Sequence, residues 1–142
     1  MGKTQAWVER YGGEAAVSPA QAAEEADVVV SCVGTDDDLE AVTIGRDGAF
    51  RTMRTGSLFI DHTTVSARIS RQLALEAESR GLHFVDAPVS GGQSGAENGK
   101  LSVMCGGSEP AVAAARLVMQ AYSARIVHCG EAGAGQTTKM VN

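Results

Sequence analysis

Two short stretches hold most of the residues that can do chemistry. The first, Asp86-Ala87-Pro88-Val89-Ser90-Gly91-Gly92, offers one hydroxyl beside two glycines whose backbone N–H groups no side chain shields. The second, Gly133-Ala134-Gly135-Gln136-Thr137-Thr138-Lys139, offers one amine behind two glycines. A hydroxyl and bare N–H groups at the carboxyl end of a parallel strand can hold a substrate carboxylate. Glycines at a helix start let the backbone approach a pocket closely, and a lysine one turn further on then points into it. Together the two stretches look like a carboxylate cradle and a proton donor. Each also has an ordinary reading: Ser-Gly-Gly after a proline makes a turn, and a lone lysine is most often solvated. The first stretch is not Gly-x-Ser-x-Gly, which argues against a hydrolase elbow. Asn142 follows Lys139 by three residues and falls on the same helix face.

The elements that must position these groups read as α/β. Thr4 to Tyr11 carries Ala6, Trp7 and Tyr11 at helical spacing, with Gly12-Gly13 as its stop. Ala15 to Val17 is a short strand candidate, and Ser18-Pro19 opens a helix through Ala26. Val28 to Val33 is a continuous apolar run, the pattern of a strand buried on both faces. Gly34-Thr35 turns out of it, and Asp36, Asp37 and Asp38 place negative charge where the next helix begins. Ser57 to Asp61 is a strand. Ser66 to Arg80 is the clearest helix, with Ile69, Leu73 and Ala77 on one face and Gly81 as its cap. Strands over Leu82 to Asp86 and Leu101 to Cys105 precede a helix from Ser108-Glu109-Pro110 to about Tyr122. Arg125 to His128 is a last strand, and a helix begins at Gly135. Apolar runs alternating with helical patterns predict βαβ units and a mainly parallel sheet with flanking helices.

Composition narrows the partners. A chain of 142 residues is one domain, able to bury roughly 68–70% of its unfolded surface. Twelve basic against seventeen acidic residues leave a charge of -5, which repels a phosphate backbone, so nucleic acid is not an expected partner. No apolar run approaches the ~20 residues that span a bilayer, and the polar start Met1 to Gln5 lacks a signal peptide's apolar stretch. A cytoplasmic protein without a membrane partner is the expectation. Cys32, Cys105 and Cys129 are odd in number and widely spaced, and read as buried structural thiols. His62, His83 and His128 have no ligand spacing, so no metal is expected.

The two chemical stretches resemble the substrate-binding and catalytic-lysine motifs of the β-hydroxyacid dehydrogenases, the family of 3-hydroxyisobutyrate dehydrogenase, tartronate semialdehyde reductase and 6-phosphogluconate dehydrogenase. The resemblance runs from Thr4 to Asn142. It implies hydride transfer between NAD or NADP and a short β-hydroxyacid or its semialdehyde. Ser90, Gly91 and Gly92 would bind the carboxylate, Lys139 would move the proton, and Asn142 would orient the substrate. Val33, Gly34, Asp38 and Thr64 match positions lining the nicotinamide half of the cofactor cleft. A helix cap is the structural alternative for Thr64, and a dipole partner for Asp38. Thr63-Thr64-Val65 keeps the core of a family motif, with Ala67 where a proline is usual. A histidine beside the terminal asparagine would mark the decarboxylating phosphogluconate branch; Val141 stands there instead.

One part of that expectation is missing from the chain. A dinucleotide fold needs a strand running into Gly-x-Gly-x-x-Gly, whose glycines let the pyrophosphate reach a helix N-terminus. No such loop occurs in the 142 residues. The resemblance therefore implies an incomplete Rossmann-type domain, lacking the first two strands with the glycine loop and the helical second domain. Weak cofactor binding follows, as does an apolar edge along Val28 to Val33 that invites a homo-oligomer. The rival from another class is a non-catalytic α/β fragment or interaction module without dinucleotide binding.

Overall fold

The computed structural model describes residues 2–141. Helix α1 spans Gly2–Tyr11, α2 Pro19–Ala23, α3 Asp36–Thr43, α4 Ala67–Ser79, α5 Gly92–Glu97, α6 Glu109–Met119 and α7 Ala134–Val141. The strands are β1 Val28–Ser31, β2 Leu58–Asp61, β3 His83–Asp86, β4 Val89–Ser90, β5 Leu101–Gly106 and β6 Ser123–Gly130. Four helices begin where a hydroxyl can take up an orphan N–H. Ser18 accepts from Gln21 N–H, Thr35 from Asp38, Ser66 from Ile69 and Ser108 from Ala111. The three aspartates of α3 lie in its first turn, beside the positive end of the helix dipole.

The sheet runs β1-β2-β3-β5-β4, with β6 on the other side of β5. The pairings β1–β2, β2–β3 and β5–β6 are parallel; β5 runs antiparallel to β3 and β4. Strands β2 and β3 alternate their side chains between two buried cores, as a sheet covered on both faces must. Phe59 and Phe84 are register partners, stacked with centroids 5.8 Å apart in the core under α3 and α4. Phe50 meets Phe59 edge-on at 5.4 Å. Ile60 and Val85, the next register pair, face the opposite core with Val103, Val112 and Met119.

Several expectations are corrected. Ala15 to Val17 is not a strand: Val17 donates its N–H to Gln21 Oε1 at 2.7 Å, so a local contact takes the group that a ladder would use. The run from Val28 pairs only as far as Ser31 and is not buried on both faces. Val30 is 48% exposed because β1 pairs only with β2 among the described residues. The chain leaves the ladder because the Val33 N–H is taken by Thr63 Oγ1 at 2.9 Å. The apolar edge expected there is present. Helices α2 and α6 end earlier than their apolar patterns, at Ala23 and Met119. Of the three thiols only Cys105 is buried, and that burial pushes its pKa up to about 12. Cys32 is exposed just past the edge strand, and Cys129 is half-buried on the outer strand β6. No helix among the described residues is long and apolar enough to cross a membrane.

Candidate functional site

The carboxyl ends of β1, β2 and β3 lie side by side, and the loops leaving them build the site. Asp61 and Asp86 are register partners at the ends of β2 and β3, both fully buried. Asp61 Oδ1 accepts from Ser31 Oγ at 2.9 Å and from the Thr63 N–H at 3.0 Å. Burial nevertheless pushes the Asp61 carboxyl above the usual carboxylate range, and the neighbouring charge of Asp86 adds to the shift.

Past Asp86 the chain turns through Pro88 into β4, which pairs Val89 with Val103 and Ser90 with Ser102 of β5. Ser90 thus sits on a short antiparallel strand rather than at the end of a parallel one, as the sequence suggested. Gly91 at φ 127° and Gly92 at φ 61° then turn the backbone into α5. Only glycine adopts such φ values readily. A Cβ on Gly91 would also press the Leu101 side chain at 3.2 Å.

Helix α7 brings the amine to the hydroxyl. Lys139 Nζ donates to Val89 C=O at 2.5 Å and lies 3.5 Å from Ser90 Oγ. Cys32, His62, Val89, Ser90, Gly91 and Lys139 are among the residues lining a cleft of about 600 Å³. The two motifs singled out in the sequence therefore meet in one cavity. Asn142 lies outside the described residues. Gln136, fully buried in the first turn of α7, donates to Thr63 C=O at 2.6 Å and accepts the Val65 N–H at 3.2 Å. It ties α7 to the loop carrying Thr64.

Of the four residues expected on the nicotinamide side, Val33, Gly34 and Thr64 fall on two neighbouring loops and Asp38 on the first turn of α3. Gly34 and Asp38 face each other: a Cβ on Gly34 would stand 3.2 Å from Asp38 Oδ2. Thr64 is exposed between two held neighbours, Thr63 and Val65. It is not a helix cap; Ser66 caps α4. Asp38 lies in the first turn of α3, which suits the dipole role.

Cys32 and His62 line the same cleft, and Gln136 anchors the helix that carries Lys139; none of the three takes a role in the site from the sequence alone. The His62 ring bridges Ala87 C=O, 2.7 Å from Nδ1, and the Tyr122 hydroxyl, 2.8 Å from Nε2. A carbonyl can only accept, so Nδ1 carries the proton and Nε2 accepts from Tyr122. Burial lowers the His62 pKa, which keeps the ring neutral. The signal available was position: His62 follows β2 directly, as Ala87 follows β3. Among the described residues no group of three or more His, Cys, Asp or Glu side chains could hold a metal ion.

A six-stranded, partly parallel sheet with flanking helices defines a Rossmann-type domain. The chain belongs to the family described as the NAD binding domain of 6-phosphogluconate dehydrogenase, whose model matches residues 1–130. An uncharacterized oxidoreductase of Shewanella frigidimarina is 48% identical over 140 residues, covering 99% of this chain and 48% of that protein. The mitochondrial 3-hydroxyisobutyrate dehydrogenase of Mus musculus is 38% identical over 131 residues, covering 92% of this chain and 39% of the relative. Among solved structures, the 3-hydroxyisobutyrate dehydrogenase of Mycobacterium tuberculosis with L-serine superposes with a TM-score of 0.89 at 36% identity. That match covers 96% of this chain and 46% of the other. The chain spans about half the length, or less, of the curated relatives it matches.

Proposed function

We propose that this chain supplies the proton-transfer and carboxylate-binding groups of a dehydrogenase that moves a hydride between NAD or NADP and a short β-hydroxyacid or its semialdehyde. The observation that carries the reading is the 3.5 Å approach of Lys139 Nζ to Ser90 Oγ, with the N–H groups of Gly91 and Gly92 next in the chain. Ser90, Gly91 and Gly92 receive the substrate carboxylate. Lys139 then reaches the oxygen of the carbonyl under reduction and gives it a proton, or takes one back in the reverse direction. A bound nicotinamide supplies or accepts the hydride. Asn142 is assigned to orienting the substrate. Titration with 3-hydroxypropanoate, followed by NMR, is expected to shift the Gly91 and Gly92 amides and the Lys139 side chain. Shifts confined to other parts of the chain would overturn the assignment.

The residues present fit one end of the cofactor. Val33, Gly34 and Thr64 are exposed or half-exposed at the ends of β1 and β2, and Gly34 has no side chain to bar a flat ring. They, with Asp38, are assigned to the nicotinamide side. Nothing in the 142 residues has the Gly-x-Gly-x-x-Gly spacing that holds a pyrophosphate. Without that anchor the chain by itself should bind NADH or NADPH at millimolar strength or weaker, about -4 kcal/mol. Calorimetry returning a micromolar constant would refute this.

The same reading includes self-association. The outer edge of β1 offers unpaired backbone groups beside the half-exposed Val30, and such an edge pairs readily with another strand. Sedimentation should show a concentration-dependent oligomer, with amide exchange along Val28 to Ser31 slowing as it forms. A monomer at all concentrations, with that exchange already slow, would exclude it.

A further inference from the structure

We infer that Asp86 is the positioning residue for the proposed proton donor, a role that rests on the reading of Lys139 given above. Helix α7 has eight residues and no acidic group in its first turn. Gly133, which precedes it, has no side chain to cap it. Its first N–H groups would be orphans in a buried place. Asp86, fully buried at the end of β3, takes two N–H groups at this start, while that of Ala134 goes to Glu131 C=O. Its Oδ1 accepts the Gly133 N–H at 2.8 Å and its Oδ2 accepts the Gln136 N–H at 3.1 Å. One carboxylate thus bridges the first turn of α7 and places a negative charge at the positive end of the helix.

The approach is built in on both sides. A Cβ on Gly106 would stand 2.5 Å from Asp86 Oδ1, and one on Gly135 would stand 2.9 Å from Oδ2. The contacts close a ring. Asp86 holds the start of α7; α7 carries Lys139 back to Val89 and Ser90; and those residues follow Asp86 in the chain. Amine and hydroxyl are therefore both referred to the end of one strand, and their separation is fixed from Asp86. Burial raises the Asp86 carboxyl pKa, and the backbone N–H groups only partly offset it. The ionisable groups facing it are Asp61 on β2 and Cys105 on β5.

The test is Asp86→Asn in the full chain. An amide of the same shape keeps one acceptor but turns N–H groups toward the second backbone N–H, so half of the bridge becomes repulsive. With only three lysines, Lys3, Lys100 and Lys139, reductively ¹³C-methylated protein gives a resolvable NMR signal for each. In the variant the Lys139 signal should lose its cross-peaks to Val89 and Ser90, and Gln136 amide exchange should speed up at least tenfold. Exchange at Phe84 and Val85 of β3 should stay unchanged. Asp86→Glu, which keeps the charge but lengthens the arm, should retain part of the Lys139 cross-peaks. An unmoved Lys139 signal in a folded Asp86→Asn chain overturns the inference. If neither variant folds, the wild type decides: correlations across hydrogen bonds from the Gly133 and Gln136 amides to the Asp86 carboxylate carbon support it, and their absence overturns it. The 3-hydroxypropanoate titration of the wild type fails or succeeds independently, so the failure of the functional reading is told apart from failure of this one.

Discussion

Lys139→Ala should lower the rate of semialdehyde reduction roughly 10²–10⁴-fold, the range expected for loss of a positioned acid–base group, in an enzyme that joins this chain to a dinucleotide-binding glycine loop. The 142 residues alone should show no measurable turnover with any nicotinamide cofactor, because they hold no Gly-x-Gly-x-x-Gly loop to anchor the pyrophosphate. In the joined enzyme the loss should fall on kcat more than on KM, since the proposed function assigns the carboxylate to Ser90, Gly91 and Gly92. Steady-state kinetics with the aldehyde as varied substrate separates the two. Full activity without the amine would make Lys139 a structural hydrogen-bond donor to Val89 and leave Ser90 with its glycines as a binding feature.

The positions of most elements were legible in the sequence because their signals are local. Ser18, Thr35, Ser66 and Ser108 each sit where a helix begins, and each makes the cap its type suggests. Strands β2, β3 and β5 come from short apolar runs bounded by turns. The errors lie where tertiary context decides. Ala15 to Val17 has strand composition but no strand beside it, and Val30 has core composition on an open edge. A two-residue strand at Val89–Ser90 exists only because β5 runs back along it. In the site, Ser90 and Lys139 could be paired from their motifs, whereas His62, Cys32 and Gln136 are brought in by strand order and helix approach, which no spacing encodes. Asp86 stood inside a recognised stretch, yet its partners Gly133 and Gln136 lie 47 and 50 residues away.

The second large effect separates close approach from backbone conformation. Gly135 is inside α7, so helix propensity alone predicts that Gly135→Ala stabilises the chain by about 1 kcal/mol. The packing predicts the opposite sign. A Cβ there would stand 2.3 Å from Met104 C=O and 2.9 Å from both the carbonyl and the carboxylate of Asp86. Two of these atoms are backbone and cannot swing aside, so α7 must move off β3 and β5. Overpacking of this kind costs about 1–3 kcal/mol, and stretching the hydrogen bonds to a buried carboxylate adds about 1–3 kcal/mol. A total of roughly 3 kcal/mol or more should appear as a fall of about 10 °C in Tm. Gly92→Ala is the comparison, since its Cβ would meet nothing within 4 Å and only its φ of +61° resists substitution. That change should cost about 1–2 kcal/mol. Urea unfolding of the two variants ranks the effects. A Gly135→Ala chain as stable as the wild type would mean that α7 has room to spare, and the Asp86 bridge and the Lys139 to Ser90 approach would then lose their common support.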